Sequence, residues 1–374
     1  MALPQKTNIF NDIRKTPFIP IKNIILSFCF TVFLGHKSLL AFDGASRTQA
    51  IRKLFAPRKD KWGMVCSDST MQRVAHWLKE SEAAEFLKSN YDLFKTLHND
   101  KVVLAPGGKP RRIGVMDGSF MGGHYVCILS LVGKDMTYPW EVKGCAGRGY
   151  ELTTAKSIIK ALPEKASKRP FDLLLYDFLA FNAPLIKEVR QKGMHILIKG
   201  SSPDFRDVLK GALATFNSNQ NDLFETYTGF DEKRLCAWIM QETTDMFAGY
   251  PVRIVRICEQ PSKGLKKESW ILTTDFSLSP QELREAAYLR WSIENDVFKK
   301  ISAQVGTKRF HSKNLHSFLI MLMLFCAALV AFQLALSILF TLSDEFKSLL
   351  GGMKHTLRNL FERLKELLED QVFA

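Results

Sequence analysis

Short apolar runs separated by glycines dominate residues 111–145. Ile113–Phe120, Tyr125–Val132 and Met136–Val142 have the length and composition of strands, and the turns between them predict hairpins. The period then changes. Tyr150–Leu162 carries the three-to-four spacing of a helix and stops before Pro163. Phe171–Tyr176 and His195–Lys199 are again strand-like, with a helix over Pro184–Lys192 between them. The order βββαβαβ predicts an α/β domain, a central mixed sheet with helices on its faces. His195 alternates with apolar neighbours and reads as a core histidine rather than a ligand.

The flanks differ. Residues 1–110 read as a helical, DNA-end-binding domain, with amphipathic helices over Ser46–Phe55 and Ser69–Lys88. Ile24–Gly35 is a short apolar run behind basic residues, the layout of a signal peptide. It starts late and lacks a good cleavage site, so a core helix is the better reading. Arg58-Lys-Asp-Lys-Trp62 is either a DNA-contacting loop or a solvated one. Pro106-Gly-Gly-Lys-Pro110 marks a boundary. Four β-rich runs, Phe224–Thr228, Arg234–Gln241, Val252–Cys258 and Trp270–Thr274, define residues 217–276. From Pro280 strong helix formers continue without Gly or Pro to Gly306, predicting one helix that places Arg290 beside Glu294 and Trp291 on the face of Phe298 and Ile301. His316–Thr341 is apolar and long enough to span a bilayer, so a membrane anchor competes with a core helix. The expected division is therefore 1–110, 111–216, 217–276, 277–342 and a charged helical tail over 343–374.

Composition adds one fact. The 46% hydrophobic and 24% charged content are ordinary, but a net charge of +14, about half of it within residues 1–110, is not. It points to a polyanionic partner, nucleic acid before an anionic membrane. Seven scattered cysteines show no zinc-ligand spacing and read as reduced thiols of a cytosolic protein.

Candidate chemistry rests on acids. Asp117 lies near the far end of a short apolar strand, followed by Gly118, which lets another group come close. Asp177 ends a second strand. Either alone can be a turn or cap residue. With Glu294 they form a strand, strand, helix series of acids. Such acids can converge to hold two divalent cations roughly 4 Å apart for in-line attack on a phosphodiester. Oxygen-only ligands favour Mg²⁺ or Mn²⁺. Gly147-Arg148-Gly149 is either a phosphate-contacting loop or a plain tight turn.

Val115-Met-Asp-Gly-Ser119, Gly147-Arg-Gly-Tyr-Glu-Leu152, Leu175-Tyr-Asp177 and above all Tyr288-Leu-Arg-Trp-Ser-Ile-Glu294 resemble the DDE transposases of bacterial insertion sequences, in the cut-and-paste group with a Tyr/Arg/Glu/Lys signature. The resemblance runs from about residue 111 to 300. It implies a ribonuclease H-like core with a β-rich insertion over 217–276. It implies Asp117, Asp177 and Glu294 as the triad for two Mg²⁺ (or Mn²⁺) ions. Cleavage of element ends in double-stranded DNA and strand transfer into a target would ensue, by a homodimer in the bacterial cytoplasm. The apolar helix after Glu294 would cover the sheet, with no membrane involved. Candidate DNA contacts are Arg290, Tyr288, Lys300 and Arg148, with Trp238 and Trp270 from the insertion; the alternative for both tryptophans is β packing. The signature places a Tyr one turn before the Arg and a Lys seven residues after the Glu, where this chain has Ala287 and Ile301. Tyr288 therefore points to another side, and Lys300 lies about 100° round from the expected place. Arg290 keeps the face of Glu294, either to hold a DNA phosphate or as a simple i,i+4 ion pair. Rival readings are an inactive DNA-binding derivative, a ribonuclease H-like nuclease without transposition, and a membrane protein.

Overall fold

The computed structural model describes residues 6–46, 65–201, 207–218, 223–305 and 312–342. Most of the expected helix over Ser46–Phe55, the basic loop Arg58–Trp62 and the 343–374 tail lie outside them.

Among the described residues, five helices, α1 (Ile21–Phe33), α2 (Leu39–Ser46), α3 (Asp68–Trp77), α4 (Glu80–Lys88) and α5 (Tyr91–His98), precede the central strands. Strands β1 (Ile113–Met121), β2 (His124–Val132) and β3 (Thr137–Gly144) form the expected meander. Helix α6 (Glu151–Ala161) leads to β4 (Leu173–Asp177), and α7 (Ala183–Gln191) leads to β5 (His195–Gly200). β4 pairs parallel to both β1 and β5, because each is reached by a helical crossover rather than a hairpin. The Asn182 side chain accepts the Leu185 amide, and Pro184 fills an early position where no amide is needed, so α7 starts cleanly.

The β-rich segment modifies the expectation of a separate insertion. After helix α8 (Asp207–Phe216), strands β6 (Glu225–Asp231), β7 (Cys236–Phe247), β8 (Tyr250–Pro261) and β9 (Lys267–Thr273) join the same sheet, because β9 pairs antiparallel to the free edge of β5. One mixed sheet of nine strands results, ordered β3-β2-β1-β4-β5-β9-β8-β7-β6. A parallel strand left open at the edge would expose its amides and carbonyls, and β9 satisfies them.

Successive strand residues face opposite layers. Val115, Leu175 and Leu197 face one core, which holds α9 (Pro280–Leu289) and the N-terminal helices. Met116, Leu174, Tyr176 and Ile198 face the other, beneath α6, α7 and α8. α9 opens with a complete capping box, Ser279 and Glu282 each closing on the other's backbone, with Pro280 in the first turn. A short helix, α10 (Lys299–Val305), comes after it.

The apolar stretch is helix α11 (Leu315–Leu342). Of its most apolar 18-residue window, 89% is buried inside the protein. It lies against β3 and is wrapped by α1, α3, α4 and α5, while α2 packs on α1 and α3. Phe28 meets Phe325 edge-on at 6.0 Å, and His98 Nε2 lies 3.0 Å from Ser337 Oγ. Within that window the apolar surface of α11 is covered by protein. Ile24–Gly35 accordingly contributes a core helix, α1. Ser69–Lys88, expected as one helix, is two, because the chain turns extended at Leu78 and Lys79 and buries Leu78.

Buried ion pairs tie the far strands to α9. Arg284 reaches Asp231 at 2.5 Å and Glu259 at 2.7 Å, and Tyr288 Oη donates to both Glu259 oxygens at 2.6 and 2.7 Å. Burial would raise the Asp231 carboxyl, but hydrogen bonds from Arg284 and Arg234 hold it well below the usual range. Arg284→Leu leaves two buried acids short of their base and is expected to cost about 3–5 kcal/mol. Urea unfolding of the variant beside wild type measures this; equal midpoints would show that the network carries no stability.

Candidate active site

The parallel register decides where the acids fall. Val115 pairs with Leu175, so Asp117 and Asp177, each two residues on, stand in one row on the same face. Asp177 in turn pairs with Lys199, which extends the row to β5. The Asp117 carboxylate accepts the Gly118 amide at 2.9 Å. Asp177 does act as a cap, accepting the Leu179 amide at 3.0 Å where a short 3₁₀ turn begins.

The helix bearing Glu294 differs from the single regular one predicted. α9 ends at Leu289, the chain turns at Arg290, and Ile293–Phe298 is π-helical before α10 resumes the regular helix. A π turn carries an extra residue and recurs at functional sites. It rotates the residues beyond it, so Trp291 and Phe298 no longer share a face: Trp291 is 44% exposed while Phe298 and Ile301 are buried. Arg290 is buried and faces Glu294 at 3.2 Å and Asp117 at 4.0 Å, with the Trp291 ring 4.2 Å from its guanidinium.

Negative charge is crowded here. Burial, then Asp177 and Glu151, pushes the Asp117 carboxyl up to about 7, with Arg290 opposing. Burial also raises Asp177 and Glu151, and it lowers the Lys199 ammonium. Among the described residues, no three acids, histidines or cysteines lie close enough to enclose a metal as they stand. The Arg290 guanidinium occupies the space between Asp117 and Glu294.

Other candidates are placed elsewhere. Lys300 pairs with Asp296 at 3.1 Å, away from Glu294. Tyr288 is engaged by Glu259, and the Arg234 guanidinium covers its ring at 4.0 Å. Trp270 is 1% exposed with its indole N–H on Glu268, and Trp238 is buried over Gly229. Arg148 is exposed in a turn with Gly149 at φ +87° and lines a cavity of about 390 Å³ together with Glu151. Glu151, inside the Gly147–Leu152 piece where only Arg148 is a candidate, and Lys199 are residues near the acids to which the sequence reading gives no role. Lys199 closes its strand as Asp177 closes β4, and Gly118 announces a close approach without naming the group that approaches.

No protein-family model matches the chain, and no curated protein matches it. Among solved structures it is similar to a piggyBac transposase in a synaptic complex with hairpin DNA. The identity is 12% and the TM-score 0.39, over 100% of this chain and 78% of that one. That likeness is too remote to assign a fold family or an activity.

Proposed function

We propose that the chain is a DNA transposase of the DDE type, cleaving the ends of an insertion sequence and joining them to target DNA. The observation that carries the reading is the placement of Asp117 and Asp177, each two residues beyond the last paired position (Val115 and Leu175) of adjacent parallel strands, with Arg290 facing both Asp117 and Glu294. The strand order β3-β2-β1-β4-β5 with β2 antiparallel supports a ribonuclease H-like core, which β6–β9 extend. The net charge of +14 supports a nucleic-acid partner.

The donor set fits a hard divalent cation in chemistry, since the side chains it offers are carboxylates and supply oxygen ligands only. Asp117, Asp177 and Glu294 would hold two Mg²⁺ or Mn²⁺ ions. When bound, these supply an activated water or 3′-hydroxyl and stabilise the leaving oxygen. Arg290 balances the charge of Asp117 and Glu294 and would also contact a DNA phosphate, a bidentate contact that lysine cannot copy. Trp291, exposed beside it, lays its ring 4.2 Å from the guanidinium. The protein acts as a homodimer on paired ends in the cytoplasm.

A nicking assay with and without Mg²⁺ on DNA carrying the element's ends tests the reading. Absence of metal-dependent nicking by wild type sinks it, and nicking without strand transfer favours a nuclease. Arg290→Lys is expected to lower cleavage by about one to two orders of magnitude. Lys300→Ala is expected to do less, since Lys300 is engaged by Asp296. The reverse order on pre-cut and uncut ends would assign the phosphate contact to Lys300.

A further inference from the structure

Arg290 is held unlike the other buried arginines, which among the described residues are Arg169, Arg253 and Arg284. Arg253 grips Glu242 through two nitrogens, each at 2.6 Å, and also donates to the Asp275 and Leu278 carbonyls. Arg284 holds Asp231 at 2.5 Å and Glu259 at 2.7 Å. Arg169 makes none of the described ion pairs and donates to the Lys192 carbonyl. Arg290 faces two carboxylates and closes on neither: Glu294 lies at 3.2 Å and Asp117 at 4.0 Å. Of its five N–H groups, only the one on Nη2 makes a described hydrogen bond, to Glu294 Oε1. A buried guanidinium ordinarily offsets its desolvation with short paired bonds, and Arg290 is buried without them.

Its surroundings give the reason. The other charged groups that act on Asp117 are the acids Asp177 and Glu151, and Glu151 is packed against Gly118 and bound by the Tyr176 hydroxyl at 2.7 Å. Arg290 is the cation that opposes this crowding at both Asp117 and Asp177. One guanidinium is thus shared among several carboxylates, and its remaining donors are left for a further acceptor.

We propose that Arg290 couples cation loading to DNA: its guanidinium and a divalent cation compete for the Asp117 and Glu294 oxygens, and a DNA phosphate relieves that competition by taking the guanidinium's donors. Resting on the transposase reading, this deepens it by setting when the site loads. A positive charge at 3.2 and 4.0 Å from those oxygens repels a cation placed on them. A phosphate paired with the guanidinium cancels that charge. By linkage, a cation raises the affinity for DNA by the same factor as DNA raises the affinity for the cation. Arg290 is then a specificity residue, since the cutting site is loaded on DNA and only weakly without it.

Mn²⁺ binding, followed by electron paramagnetic resonance, tests this apart from activity. The full chain is measured alone and with saturating pre-cut element-end duplex, and Mn²⁺ held by the duplex itself is subtracted. Duplex is expected to tighten Mn²⁺ binding to wild type by about tenfold, within the usual range of coupling between sites. Arg290→Gln should tighten binding to the DNA-free chain by at least about tenfold, and duplex should then add less than it adds to wild type. A residue that merely orients Glu294 would give the opposite sign, since its loss loosens a ligand. If wild type binds no Mn²⁺ with or without duplex, the metal-dependent reading fails and this inference with it. If wild type binds Mn²⁺ but duplex leaves its affinity unchanged, or Arg290→Gln binds no more tightly, only this inference falls. Should Arg290→Gln not fold, a crystal structure of wild type with Mn²⁺ decides. A guanidinium still facing both carboxylates beside the ion overturns the proposal, and one withdrawn from them supports it.

Discussion

Asp117→Asn is expected to melt at a higher temperature than wild type at pH 8 while losing DNA cleavage altogether. The two effects share one cause. A buried carboxylate facing Asp177 and Glu151 is unfavourable in the charged form, which is why Asp117 is held up at about 7 instead of 3.8. The folded protein therefore binds a proton at Asp117 that the unfolded chain has released. Wild-type stability falls as the pH rises from about 4 to about 7, by up to about 1.4 kcal/mol per pH unit, and levels off above that. Asparagine carries no such titration, so its advantage widens over this window and is larger at pH 8 than at pH 5. Cleavage disappears because the amide no longer offers an anionic ligand, and end binding persists because basic residues supply most of the affinity. Asp177→Asn and Glu294→Gln should share the loss of cleavage. Melting curves at both pH values, beside a gel shift and a nicking assay, provide the check. An advantage that does not change with pH would show that Asp117 is not under strain, and near-normal nicking by any of the three variants would remove that residue from the site.

Leu324→Asp is expected to abolish folding. Leu324 is fully buried on α11, between the sheet and the N-terminal helices. An unpaired buried carboxylate there costs several kcal/mol, on the order of the entire stability of a domain. Leu324→Ala should cost about 2–5 kcal/mol and still fold. Wild type should stay in the supernatant after high-speed centrifugation, since the apolar surface of α11 is already covered. Recovery of wild type only from washed membranes, released by detergent alone, would contradict the buried arrangement.

The strands and helices around the acids are legible in the sequence because periodicity is a local property. Val115, Leu175 and Leu197 announce a buried face through residues two apart, and Pro163 and Pro280 announce helix ends. Which strand pairs with which is less legible. That β9 closes on β5, and so fuses the β-rich segment to the central sheet, depends on which edge is left free in three dimensions. The π turn at Ile293–Phe298 is hidden because an extra residue per turn leaves the apolar pattern almost unchanged over six positions. Glu151 escapes for a related reason. It sits at the start of a helix, where acids are common for the sake of the helix dipole, and nothing along the chain connects it to Gly118 or Tyr176. Tyr288 is held by Glu259, which belongs to another segment and cannot be read from the signature.

The burial of α11 has a consequence for the order in which the protein can be made. The helices of residues 21–98 surround a helix that begins only at Leu315. More than two hundred residues are synthesised between the end of α5 and the start of α11, which takes roughly 10–40 s at bacterial-like rates of about 5–20 residues per second. Throughout that interval Phe28, Phe86 and their neighbours lack the surface they finally pack on. Helices α1–α5 are thus made well before they are sealed, and a nascent chain stalled before residue 315 should expose a sticky apolar face that attracts chaperones.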